Sequence, residues 1–102
     1  MKVKSGKEDH CTHLLKVIGD YRTLSIVMEL RRGETRFCEL QRAVGNLNPV
    51  TLTNRLKKLE EAGFIDRKTE SVDKLSVTYK LSKSGTGLLP ILDEIQTFAA
   101  KR

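Results

Sequence analysis

With 102 residues, 38% of them hydrophobic, the chain holds one domain around a single small core. Nineteen Lys+Arg against thirteen Asp+Glu give a formal net charge of +6, divided as +3 in each half, so no charged tail carries it and the balance favours a polyanionic partner. Apolar runs such as Leu88 to Leu92 fall far short of the ~20 residues of a membrane span, and no apolar signal core follows the lysine-rich start. Two cysteines 27 positions apart make neither a disulfide framework nor a metal-site spacing, and the placement expected is a reducing cytoplasm.

In chain order, residues 1–9 read as a loose polar arm. His10 to Ile18 forms a short helix with Leu14, Leu15, Val17 and Ile18 as its apolar content, closed by Gly19. A second helix spans Tyr21 to Arg32, with Leu24, Val27, Met28 and Leu30 inward and Gly33 as its stop. Thr35 can cap a third, Arg36 to Val44, in which Phe37, Leu40 and Val44 share a face. Gly45-Asn46-Leu47 is a turn.

The stretch from Asn48 to Arg67 is the most informative. Asn48 can cap a helix with its side-chain carbonyl, and Pro49 fits a first turn, where a missing N–H costs nothing. Leu52, Leu56 and Leu59 recur at i, i+4 and i+7 as one apolar stripe. The opposite side carries Val50, Asn54, Lys57 and Lys58, with Thr51 and Thr53 flanking it. Gly63 is placed to end the helix in the left-handed conformation, and Phe64 to Thr69 opens a strand. After a polar loop, Glu70 to Lys74, a second strand runs from Ser76 to Leu81 with Val77, Tyr79 and Leu81 on one face. Ser82 or Ser84 can cap a last helix reaching Ala99. Its Leu88, Leu89, Ile91, Leu92, Ile95 and Phe98 make a stripe too wide for one small core.

This order predicts an α+β, mainly α fold: a winged helix-turn-helix with a two-stranded β-hairpin wing and a C-terminal helix. The run Leu56-Lys57-Lys58-Leu59-Glu60-Glu61-Ala62-Gly63-Phe64-Ile65-Asp66-Arg67 looks like the helix-to-wing passage of many winged-helix regulators. Cys11 at the start of the first helix, Arg36-Phe37 followed by Glu39-Leu40, Leu52-Thr53-Asn54-Arg55-Leu56, and Tyr79-Lys80-Leu81 ahead of Gly85, Leu88, Leu89-Pro90 and Leu92 narrow the match. Together they resemble HxlR-type transcriptional regulators over roughly residues 11–100. The chain departs from that family's pattern at Gly19-Asp20-Tyr21-Arg22, where Gly-Lys-Trp is usual, and in lacking wing prolines and a C-terminal tryptophan, whose place Phe98 can fill.

The resemblance implies a homodimer formed through the first and last helices, about residues 10–18 and 83–100, and the apolar excess of the last helix points the same way. Two-fold symmetry then predicts an inverted-repeat operator on double-stranded DNA with half-sites one helical turn apart. Residues 49–62 are the expected recognition helix. Thr51, Thr53, Asn54, Lys57 and Lys58 are the candidates for groove and phosphate contact, with Asn54 suited to bidentate reading of adenine. Arg55 either buttresses the helix or reaches a phosphate. The resemblance gives Arg36 a backbone-phosphate role, and Lys74 in the wing loop, with Lys68 as a second candidate, can reach the minor groove or its phosphates. Cys11 is a candidate redox-sensing thiol, as in some members of the family, with His10 and His13 near it in sequence. Cys38 reads as packing. Cys11 with His13 is too small a ligand set for zinc, no catalytic constellation or cofactor motif is apparent, and neither enzyme activity nor a cofactor is expected. The competing readings are an architectural, weakly specific DNA binder and a winged-helix protein-interaction module.

Overall fold

Asp9, Asp20, Asn48 and Ser82 each place a side-chain oxygen where a run of backbone N–H groups would otherwise lack acceptors. The structure, a computed structural model, describes residues 9–69 and 77–102. Helix α1 (His10–Ile18) begins with the Asp9 carboxylate accepting the Thr12 N–H at 2.7 Å. Helix α2 (Tyr21–Leu30) begins with Asp20 accepting from the Arg22 N–H. Strand β1 (Thr35–Arg36) and helix α3 (Phe37–Ala43) follow, then helix α4 (Pro49–Glu61), where Asn48 Oδ1 accepts the Val50 N–H at 2.8 Å. Strands β2 (Ile65–Thr69) and β3 (Val77–Leu81) pair antiparallel from Ile65↔Leu81 to Thr69↔Val77. Helix α5 (Lys83–Thr86) is capped by Ser82, and helix α6 (Leu89–Ala100) carries Pro90 in its first turn.

The core lies between α2, α3, α4 and the inner face of the sheet. Ile26, Val27, Leu40, Leu52, Leu59 and Leu56 are essentially inaccessible to water, and Ile65, Leu88 and Leu92 close the same cluster. Each such side chain stabilises the fold by about 1.5–3 kcal/mol relative to an exposed one, so the leucine stripe of α4 fixes which side of that helix faces outward. Gly63 (φ +84°) takes the left-handed conformation that turns the chain from α4 into β2. Gly85 serves a different need. A Cβ there would stand 2.0 Å from the Phe64 carbonyl oxygen, so only glycine lets α5 lie against the α4–β2 junction.

Several expectations need correction. Thr35 does not cap the third helix. Thr35 and Arg36 pair with Tyr79 and Thr78 and add a third strand to the hairpin, in the order β1-β3-β2. Arg36 then becomes the residue before α3, and its N–H donates to Glu39 Oε1. The second helix ends at Leu30 rather than Arg32, because Arg31 and Arg32 turn towards Gly33 with three-residue hydrogen bonds. Its inward set also includes Ile26 and Thr23, both fully buried. The final helix is two pieces, with Gly87 and Leu88 between them. Cys38 is exposed and does not pack. Of the expected arm, residues 1–9, residues 1–8 lie outside the described residues, as does the loop with Lys74, whereas Asp9 is the cap of α1. Among the described residues no helix is long and apolar enough to cross a membrane.

Candidate nucleic-acid interface

With Leu52, Leu56 and Leu59 buried, α4 must present the remaining sides of its circumference to solvent. Val50, Thr53, Asn54, Lys57 and Lys58 are exposed, and Thr51 is half-buried with its N–H directed at Asn48 Oδ1. At about 100° per residue, Val50 and Asn54 sit near the centre of the outward face and the two lysines flank it. Four polar or apolar groups of short reach and two flexible cations thus share one surface.

The helix is held at its start and at its middle. Gln41 Nε2 donates to the Leu47 carbonyl at 2.8 Å, and the Asn46 N–H donates to the Gln41 carbonyl at 2.9 Å, which fixes the turn from α3 into α4. Asn46 itself has φ +56°, a conformation that asparagine tolerates better than most side chains. At the middle of α4, Arg55 is half-buried and forms an ion pair with Asp20 at 2.5 Å, Nε to Oδ2. Among the described residues that Nε has no aligned hydrogen-bond acceptor. Burial pushes the Asp20 carboxyl up, but the Arg22 N–H, the Arg55 charge and the Thr23 hydroxyl outweigh it and hold the group below the ordinary carboxylate range.

The pair Tyr21-Arg22 was not singled out by sequence reasoning. Both side chains are exposed at the start of α2 and line a depression of about 370 Å³ with Ser25 and residues 44–48, directly before α4. Arg22 Nε donates to the Tyr21 hydroxyl at 3.2 Å, and its guanidinium carbon lies 5.5 Å from the ring centroid. The signal available in the sequence was a cation placed just past a helix cap, which becomes informative only when the turn at 45–48 is known to lie beside it.

The other candidates are dispersed. Arg36 is exposed at the start of α3. Lys68 stands on β2 opposite Thr78, beside Lys80 but also beside Glu34 and Asp66, so the outer sheet face has mixed charge. Thr78 is buried there and donates its hydroxyl to Glu34 Oε2 at 2.8 Å. Cys11 is exposed in the first turn of α1, one turn before Leu15, itself 54% exposed. On α6, Ile91, Ile95 and Phe98 form an i, i+4, i+7 stripe at 49, 55 and 67% exposure. Among the described residues no group of three or more His, Cys, Asp or Glu converges as metal ligands would.

Two helices joined by the Gly45–Leu47 turn, the second with its polar side free, and an adjoining antiparallel sheet define a winged helix-turn-helix. The chain belongs to the HxlR-like helix-turn-helix family, whose family model matches residues 17–102. It is 37% identical over 76 residues to the uncharacterized HTH-type transcriptional regulator YvaP of Bacillus subtilis (strain 168), covering 74% of this chain and 70% of that one. Its fold is similar to that of a MarR-family transcriptional regulator from Porphyromonas gingivalis W83, with a TM-score of 0.84, 29% identity and 99% of each chain covered. It is also similar to the reduced form of the transcriptional regulator YodB from B. subtilis, with a TM-score of 0.77, 26% identity and 86% of each chain covered. The protein is therefore a helix-turn-helix transcriptional regulator of the HxlR/MarR-like type, a class of regulators rather than enzymes.

Proposed function

We propose that the protein is a homodimeric regulator that reads an inverted-repeat operator in double-stranded DNA with α4 in the major groove. The observation that carries this reading is the division of α4: its leucine side is fully buried, and its free side gathers Thr53, Asn54, Lys57 and Lys58. Asn54 offers an amide that matches adenine N6 and N7. Lys57 and Lys58 neutralise phosphates and supply salt-dependent affinity, and Thr51 and Thr53 add short hydrogen-bonding groups at the groove edge. Arg36 and Arg22 extend the phosphate track to the starts of α3 and α2. Lys74, by its place in the sequence between the two strands, is the wing contact to the minor groove or its phosphates. Arg55, paired with Asp20, orients α4 instead of contacting DNA.

The partner for the second half-site is another copy of the chain. Ile91, Ile95 and Phe98 are too large an apolar stripe to leave in water, and Leu15 on α1 offers a further exposed leucine. Such a regulator meets its DNA in a reducing cytoplasm. Cys11 is exposed one turn from Leu15, so glutathionylation by oxidised glutathione, with release of one reduced glutathione, would add bulk beside a dimer contact. Cys38→Ser leaves Cys11 as the single thiol. Treatment of that variant should then shift its dimer–monomer equilibrium, and an unchanged equilibrium would remove the thiol role.

The test is selection of duplexes from a randomised pool on the purified full chain at moderate salt, with sequencing of the bound fraction. Enrichment of an inverted repeat supports the reading. Binding without enrichment points to an architectural role, and absence of binding points to a protein partner.

A further inference from the structure

Val50 is 68% exposed, and among the described residues it is the one large hydrophobic side chain on α4 that stands in water. Neither packing nor propensity accounts for it. Its neighbours in the core are the leucines on the opposite side of the helix, and a β-branched residue lowers helix propensity relative to the alanine or straight-chain residues that suit a solvated first turn. Val50 also lies one turn before Asn54. With Pro49 and Thr53 these two line a shallow depression of about 210 Å³ at the leading end of α4.

The chemistry around this depression says what covers it. Lys57 and Lys58 continue the same outward face, and the chain carries a net charge of +6, so the complementary surface is a polyanion. In the major groove of duplex DNA the base edges offer donors and acceptors, and the 5-methyl of thymine is their apolar group. We infer that Val50, with the Thr53 methyl beside it, is a specificity-determining residue that receives a thymine 5-methyl group next to the base pair read by Asn54. Asn54 then supplies polar discrimination and Val50 apolar discrimination from adjacent turns of one helix. This inference rests on the reading of α4 as the groove-entering helix.

The experiment removes the methyl and nothing else. In the duplex enriched by the full chain, each thymine is replaced singly by deoxyuridine, and affinities are measured for wild type and Val50→Ala. Alanine is the stronger helix former, and matching thermal melting curves establish that the variant is folded. One thymine per half-site is expected to lose about three- to fivefold in wild-type affinity on losing its methyl, the scale of one buried methyl group. Val50→Ala should be weaker on the thymine duplex by a similar factor and indifferent to that deoxyuridine. An enriched duplex in which no deoxyuridine matters, or in which Val50→Ala keeps the full methyl sensitivity, overturns the inference while leaving α4 as the reading helix. Failure to enrich any sequence overturns the groove-reading itself, and the inference with it.

Discussion

Arg55 in the middle of α4 is ion-paired with Asp20, the residue that also caps α2. One carboxylate therefore closes the start of one helix and fixes the rotation of another, and α4 is tied to the α2 scaffold 35 residues earlier in the chain. Arg55→Ala should lower stability by about 0.5–1 kcal/mol, and a double-mutant cycle with Asp20→Asn should return a coupling of about 0.2–1 kcal/mol, as befits half-exposed partners. The salt dependence of DNA affinity should stay unchanged in Arg55→Ala. A flattened salt slope with unaltered stability would place Arg55 on a phosphate instead.

The same carboxylate gives the fold an acid limb. The Asp20 carboxyl is held below its ordinary value of 3.8, so the unfolded chain binds a proton at higher pH than the folded one does. Its contribution is complete above about pH 4 and is lost as pH falls below 3.8 through the lower folded value. Urea titrations should show wild type exceeding Asp20→Asn near neutrality, with the difference shrinking below pH 4. A difference that grows on acidification would have the wrong sign.

Asn54 and Lys57 should fail differently. Asn54→Ala is expected to cost about 1–3 kcal/mol on the preferred sequence and to relax selection at one base position. Lys57→Ala should weaken every sequence alike and reduce the salt slope by about one. Competition binding against singly substituted operators separates the two. Equal, sequence-independent losses would remove Asn54 as a base reader.

Gly85→Ala should be among the most damaging single substitutions. The added methyl would meet the Phe64 carbonyl at 2.0 Å, and the same junction holds Ser82 Oγ against the Gly63 carbonyl at 2.6 Å. Because backbone rather than a flexible side chain must yield, the cost should reach about 3 kcal/mol, the upper end for overpacked sites. Thermal unfolding measures it, and a melting temperature close to wild type would show that α5 can move away.

How much of this was legible in the sequence follows the range of the interactions. The cap at Asn48, the stop at Gly63 and the burial of Leu52, Leu56 and Leu59 are local patterns, and each appears where the spacing placed it. Strand β1 is two residues long and exists because Tyr79 and Thr78 lie alongside it, more than 40 positions away, so no local period could announce it. The Asp20–Arg55 pair and the placement of Tyr21-Arg22 beside Asn46 depend on the packing of α2 against α4 in the same way. Cys38 shows the converse: an adjacent aromatic suggested packing, but the turn of α3 that buries Leu40 leaves Cys38 in solvent.

In the proposed complex, two copies of α4 enter successive major grooves on one face of a duplex. Dimethyl sulfate protection of the enriched duplex, mapped at guanine N7 in the presence of the full chain, reads that placement out. Two symmetry-related clusters of major-groove protection, about 10 base pairs apart, are expected, and both should vanish when Ile95→Glu disrupts the α6 stripe. A single cluster, or an undiminished pattern from the Ile95 variant, would contradict that placement.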